Sequence, residues 1–173
     1  ERFLLWRVHR YKDADAFEEL YRSLAQKLEQ FLRHKLPKQE DAEEVGADVF
    51  ARLWEYAQST RIDSFSGLAF KMARNHCANF YRVQGREVPL ESQVSEVLPD
   101  EQPSPLEATV HVMDMEAVEA GLGKLSDEYK DLIILRYLNE LTIPEIAEAL
   151  EKSENAVRLQ LHRAMKSLKE KML

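Results

Sequence analysis

The sequence predicts an all-α protein of two small helical domains joined by an acidic, flexible linker. Three observations lead there. Glycine is scarce at 5 in 173 residues, and four of the six prolines fall in one stretch, so helix breakers are rare elsewhere. Apolar side chains recur every three or four residues through several long segments. Charge is segregated: residues 85–119 hold one basic and nine acidic side chains, while the whole chain carries a net charge of −7.

The first domain is predicted to span residues 1–84. A short helix is expected around residues 3–8. Residues 13–36 place Phe17, Leu20, Leu24, Leu28, Phe31 and Leu32 on one stripe, and Pro37 ends that helix. Residues 41–56 repeat the pattern with Val45, Val49, Phe50, Leu53 and Trp54. Residues 64–82 do so again with Phe65, Leu68, Phe70, Ala73, Cys77 and Phe80. Amphipathic helices of this number and length form a small bundle. Two features go beyond bundle packing. Asp41, Glu43, Glu44 and Asp48 cluster at the start of the second long helix, where acids suit the helix dipole and also a basic docking partner. On the third, Phe65, Phe70, Phe80 and Tyr81 interleave with Lys71, Arg74, Asn75, Asn79 and Arg82. Aromatic rings beside basic and amide groups suit stacking on unpaired bases with phosphate contact. Phe80 and Tyr81 are adjacent, so at least one of them must leave the core face.

Residues 85–108 carry Pro89, Pro99, Pro103 and Pro105 among acids, which reads as the linker. The second domain is predicted to span 109–173. A short helix is expected at 115–122, and Ser126 is placed to cap a helix running to Tyr137. Thr142 and Glu145 have capping-box spacing, with Pro144 in the tolerated first turn. After a break at Glu151-Lys152-Ser153, Ser153 caps a last helix with Ala156, Val157, Leu161, Ala164, Met165 and Leu168 inward. Two capped helices with a tight turn and a basic second member make a helix-turn-helix. Its outward residues are Asn155, Arg158, Leu159, Gln160, His162, Arg163 and Lys166. Asn, Gln and Arg can grip base edges, and Lys and His suit phosphates.

Several classes fall away. No apolar run approaches the roughly 18 residues of a membrane span, so no membrane insertion is expected. Cys77 is the one cysteine, so no internal disulfide can form, and a cytoplasmic setting is expected. The five histidines, His9, His34, His76, His111 and His162, lack ligand spacing, and no glycine-rich phosphate loop occurs. No enzyme activity and no cofactor are expected. A chain of this acidity is a poor autonomous DNA binder.

The two domains together resemble one family: the sigma-70-family RNA polymerase sigma factors of the extracytoplasmic-function (ECF) group, which keep only regions two and four. Region two is similar in AFEELYRSLAQKLEQFL, EDAEEVGADVFARLW and FSGLAFKMARNHCANFYRVQGR. Region four is similar in LSDEYKDLIILRYLNELTIPEIAEALEKSENAVRLQLHRAMKSLKEKM. The resemblance implies a transcription initiation factor whose partners are bacterial core RNA polymerase, promoter DNA and an anti-sigma factor. It assigns core-polymerase docking to Asp41, Glu44, Asp48, Phe50, Leu53 and Trp54. It places minus-ten DNA recognition and melting on Ser59, Thr60, Arg61 and Ser64, where the family captures a flipped base, and on Lys71, Arg74, Asn75, Asn79 and Arg82. It places minus-thirty-five recognition on Asn155, Arg158, Gln160, His162, Arg163 and Lys166. Two other readings use the same helices: a sigma-like adaptor or decoy, and a non-sigma helix-turn-helix regulator. Promoter-dependent transcription separates the three.

Overall fold

A computed structural model of the chain describes residues 1–83 and 121–172. The predicted linker at 85–108 lies outside these residues, as does most of the predicted helix at 115–122. Helix α1 (Arg2–Tyr11) is longer than expected and stops at Lys12, which takes a left-handed conformation and closes the end by donating its N–H to Val8. Helix α2 (Ala14–Lys35) starts at Asp13, whose carboxylate accepts from Ala16 N at 3.0 Å and from Arg7 Nε at 2.9 Å. The Ala16 amide, helped by Arg7, holds the Asp13 carboxyl below the ordinary range. Helix α3 (Gln39–Ser59) runs past its expected ends at 41 and 56, because no proline lies between Lys38 and the extended Thr60, and its one glycine, Gly46, sits within packing distance of Leu32. Helix α4 (Phe65–Val83) is capped by Ser64, whose hydroxyl accepts from Gly67 N at 3.0 Å.

The apolar stripes meet as the sequence predicts. Leu28, Phe31 and Leu32 of α2, Val49 and Leu53 of α3, and Phe65, Phe70 and Ala73 of α4 are all buried. Phe31 and Phe70 pack edge to face with ring centres 5.4 Å apart. Each such side chain contributes about 1.5–3 kcal/mol by leaving water. Cys77 belongs to this core. Burial pushes its thiol up to about 12, so it stays protonated at neutral pH. Iodoacetamide at pH 7.5 is therefore expected to label Cys77 only after denaturation. Stoichiometric labelling of the native protein would contradict its place in the core.

The second group of helices departs from expectation at one point. The predicted helix from Ser126 to Tyr137 is an α-helix only over α5 (Asp127–Ile133), and Ile134–Leu138 form a wider π-helical turn. Asn139 N donates to Ile134 O at 2.9 Å, five residues back rather than four. The turn directs Asn139 toward α2, where its amide donates to Lys27 O at 2.8 Å. Helix α6 (Ile143–Leu150) opens on the expected Thr142–Glu145 pairing, with Glu145 Oε2 accepting from Thr142 N at 2.7 Å. Glu151 takes a left-handed conformation and turns the chain sharply, and Ser153 accepts from Ala156 N at 3.2 Å to start α7 (Glu154–Met172). Val157, Leu161, Ala164, Met165 and Leu168 face inward.

The two helix groups close on each other. Helix α6 lies along α4, and one apolar cluster runs from Leu5 through Phe70 to Leu150 and Leu161. Polar links cross this seam. Lys71 pairs with Glu151 at 2.6 Å, Lys27 with Glu140 at 3.0 Å, and Arg74 Nη1 donates to Ala149 O at 3.0 Å. At the centre, Asp131 of α5 is 5% exposed, touches the Lys35 ammonium, and lies 3.7 Å from Arg74 Nε. Gly67 permits the approach: a Cβ there would stand 2.5 Å from Glu148 Oε2.

Candidate polymerase-docking face and nucleic-acid interface

The six predicted docking residues do not share one face. At about 100° per residue, Asp41, Glu44 and Asp48 fall on one stripe of α3, and Phe50 and Trp54 lie on roughly the opposite side of Asp41. Glu44 and Asp48 are exposed and Asp41 is half-buried. Across from Asp48 stands His76 of α4, whose pKa is held below its ordinary value by burial and by Arg52, with Asp48 opposing. Phe50 and Trp54 are half-buried against α2: Phe50 packs on Tyr21 at 4.5 Å and Trp54 on Phe17 at 5.1 Å. Leu53 is fully buried. Its expected docking role is corrected on that ground: a side chain with no exposed surface holds α3 in the bundle instead of meeting a partner.

The loop between α3 and α4 is pinned from within by Ile62, which is buried. Thr60 and Arg61 are exposed on it, and Ser59 is exposed with its hydroxyl turned back onto Tyr56 O at 3.3 Å. The Ser64 hydroxyl is occupied as the cap of α4. Glu1 joins this corner, its Oε1 accepting from Phe65 N at 2.9 Å, so α1 begins where α4 begins.

Along α4, Lys71, Arg74, Asn75, Asn79 and Arg82 fall on one side, as helical spacing requires. Asn75, Asn79 and Arg82 are exposed, and Arg82 donates to Asn79. Lys71 and Arg74 are instead engaged across the seam by Glu151, Ala149 and Asp131. Of the two adjacent aromatics, both are half-buried, and the Tyr81 hydroxyl donates to Lys35 O.

On α7, Asn155, Arg158, His162 and Lys166 follow i, i+3, i+7, i+11 spacing on one stripe; Asn155, Arg158 and Lys166 are exposed, His162 is half-buried within it and Arg163 half-buried beside it. Arg158 is steadied by Glu154 at 2.8 Å and Asn155 at 3.4 Å. Gln160 departs from the prediction. It is rotated off this stripe and tied inside, donating to Glu128 Oε1 at 3.1 Å and accepting from Lys152 Nζ at 3.0 Å. Its amide therefore serves the packing of α7 on α5 instead of the outward face.

Sequence reasoning missed the seam itself. Its one signal was Asp131, a lone acid directly before the apolar run Leu132 to Leu135. Burial raises the pKa of Asp131 against the pull of Lys35 and Arg74, with Asp127 adding to the rise. Glu148 is also raised by burial; Lys71 opposes, and Asp63, Glu1 and Glu145 add to the rise. Carboxyls with pKa values raised in the closed form take up protons on closure. Closure is therefore fully favoured below their ordinary values and weakens as pH rises through the raised ones. Glu140 acts the other way, since Lys27 lowers its pKa, but it is exposed and its contribution is confined to the acid end. Above that range small-angle scattering is expected to show the radius of gyration growing with pH; a radius that shrinks would contradict this ionisation of the seam.

Comparison with known proteins follows the same division. The family described as Sigma-70 region 2 matches residues 20–87, and Sigma-70, region 4 matches residues 115–168. The RNA polymerase sigma factor YlaC of Bacillus subtilis is 30% identical over 166 residues, covering 93% of this chain and 94% of that protein. The ECF RNA polymerase sigma factor SigW of the same organism is 25% identical, covering 92% of this chain and 90% of its own. Among solved structures, CnrH in complex with the cytosolic domain of CnrY superposes with a TM-score of 0.68 at 22% identity, over 98% of this chain and 94% of CnrH. The sigma factor RpoE in complex with the anti-sigma factor NepR from Bartonella quintana gives 0.64 at 22% identity, over 92% of this chain and 97% of that one. The chain belongs to the sigma-70 family, as an ECF sigma factor that acts in transcription initiation.

Proposed function

We propose that this chain recruits bacterial core RNA polymerase through α3 and reads promoters with two separate faces. Residues 1–84 form the polymerase-docking and minus-ten unit, 85–108 the tether, and 109–173 the minus-thirty-five unit. The observation that carries this reading is the α7 stripe, where exposed Asn155, Arg158 and Lys166, with half-buried His162 among them, offer base- and phosphate-binding groups while the helix's apolar side is fully used in packing. The exposed Thr60 and Arg61, with Ser59 and Ser64, form the loop that takes a flipped minus-ten base. Unstacking such a base costs a few kcal/mol, which a pocket and stacking recover. Lys71, Arg74, Asn75, Asn79 and Arg82 follow the DNA along α4. Polymerase supplies most of the phosphate contacts that a chain of net charge −7 lacks. The role is binding and positioning, with no chemical step of its own, and it is exercised in the cytoplasm.

For α4 to meet DNA, Lys71 and Arg74 must leave Glu151, Ala149 and Asp131. Polymerase docking therefore accompanies separation of the two helix groups. An anti-sigma factor is the inhibitory partner; RpoE, which shares the fold, is solved in complex with one.

Glu44 and Asp48 are exposed with no role in the core, so changing both to lysine reverses the stripe's charge without touching packing. The expected result is at least tenfold weaker co-elution with core polymerase, since like charges across an interface cost several kcal/mol, with an unchanged thermal midpoint. Unweakened co-elution would remove the acidic stripe from the docking face.

A further inference from the structure

Helix α1 carries an exposed aromatic ladder that neither the bundle nor the seam uses. Phe3, Trp6 and Tyr11 are 66%, 50% and 64% exposed, while Leu5 and Val8 on the other side are buried and hold the helix in place. The Phe3 and Trp6 rings lie nearly parallel, 23° apart with centres at 5.9 Å, and Tyr11 meets Trp6 edge-on at 5.3 Å. Cations flank the ladder. The Arg7 guanidinium lies 6.0 Å from the Phe3 ring centre, and that of Arg10 lies 5.9 Å from Tyr11. Arg2, Arg10 and Lys12 are exposed. Arg7 is held by Asp13, and Glu1 by the Phe65 amide.

We propose that this face of α1 binds unpaired promoter DNA on the α1 side of the loop at residues 59–64. Bases stack on Phe3 and Trp6, and Arg2, Arg10 and Lys12 meet the phosphates. The inference rests on the promoter reading above and extends it by one surface. Two observations select nucleic acid as the occupant. The charge is complementary: residues 1–12 hold four Lys and Arg against Glu1 alone, in a chain that is acidic overall. The surface also adjoins the loop at its N-terminal end, where Glu1 accepts from Phe65 N at the start of α4. A strand that follows α4 toward its N-terminus and enters the loop leaves past α1. Rings that alternate with arginines on a short, half-buried helix suit stacking and phosphate contact better than insertion among acyl chains, where one continuous apolar face is required.

The test uses holoenzyme reconstituted from the full chain and core polymerase. The probes are fluorescent single strands carrying the minus-ten hexamer of a promoter that the holoenzyme transcribes. One probe is the hexamer alone, and two are lengthened by about five nucleotides at one end or the other. Lengthening at one end is expected to tighten binding at least about tenfold, which one stacked base supplies. Phe3→Ala with Trp6→Ala should abolish that gain and leave hexamer binding unchanged, while Trp6→Phe should retain most of it. Both side chains are exposed, so the variants keep the bundle. An undiminished gain in the double variant would overturn the proposal. So would loss of binding to phosphatidylglycerol vesicles in that variant with DNA binding unaltered, which would make the ladder a membrane surface. Failure of the hexamer itself to bind would overturn the promoter reading, and this inference with it.

Discussion

Replacing Lys35 by alanine is expected to release the second group of helices from α4. Asp131 is 5% exposed, and its charge is balanced by the Lys35 ammonium and, at 3.7 Å, by Arg74 Nε. Removing one partner of a buried ion pair costs about 3–5 kcal/mol, because a charge stays behind without compensation. The chain has a cheaper way out than unfolding. Opening the seam returns Asp131 to water at the expense of the apolar contacts between α4 and α6, while the packing of α2 on α3 and α4 around Phe31 and Phe70 remains. The penalty therefore falls on closure. Small-angle scattering should show a larger particle, and the α4 amides should exchange faster, while the thermal midpoint of the bundle changes little. Opening also frees Lys71 from Glu151, so the variant should bind promoter DNA better without polymerase than the parent does. Acid conditions should restore closure, since protonating Asp131 removes the uncompensated charge. Gly67→Leu reaches the same open state by sterics: a Cβ at that position already stands 3.0 Å from the anchored Cβ of Glu148, and leucine adds three further carbons there. Unchanged scattering in both variants would contradict this account of the seam.

The second large effect belongs to α7. Asn155 and Arg158 are exposed at the start of the outward stripe, where a recognition helix meets base edges. A well-formed bidentate contact is worth about 1–3 kcal/mol of discrimination. Replacing both residues by alanine should lower initiation from promoters that depend on the upstream element by roughly a hundredfold on that scale. Stability should hardly move, because what is lost inside the protein is an exposed Arg158–Glu154 pair, worth at most about 1 kcal/mol. Gln160→Ala should behave in the opposite way. It removes links to Glu128 and Lys152, so it loosens the packing of α7 on α5 and leaves promoter choice unaltered. Equal promoter defects for the two changes would mean that the outward stripe is misassigned.

The helices were legible because the signals that mark them are local. Ser126 and Ser153 cap the helices they precede, and Thr142 pairs with Glu145 as their spacing demands. The buried stripes of α2, α3, α4 and α7 follow a 3.6-residue period that survives into the packed core. What escaped was non-local. The π-helical turn at Ile134–Leu138 serves Asn139, whose partner Lys27 lies 112 residues away, and no window of sequence links the two. The family resemblance assigns Lys71 and Arg74 to DNA, but which cations the seam occupies depends on Glu151, Ala149 and Asp131. Leu53 and Gln160 show the same limit at single residues. A motif position says that a residue type recurs there, and only the packing says whether it points out or in.

Polymerase-dependent initiation is read out by multi-round transcription over a pooled library of bacterial promoters. Purified core polymerase is supplied with the parent chain, with the Asn155→Ala, Arg158→Ala variant, or with neither. New transcripts from discrete start sites are expected with the parent chain. Their aligned upstream sequences should hold two elements, and the α7 variant should lose its preference for the upstream one alone. Co-elution with polymerase and no new transcripts would contradict initiation and make the chain an adaptor or decoy.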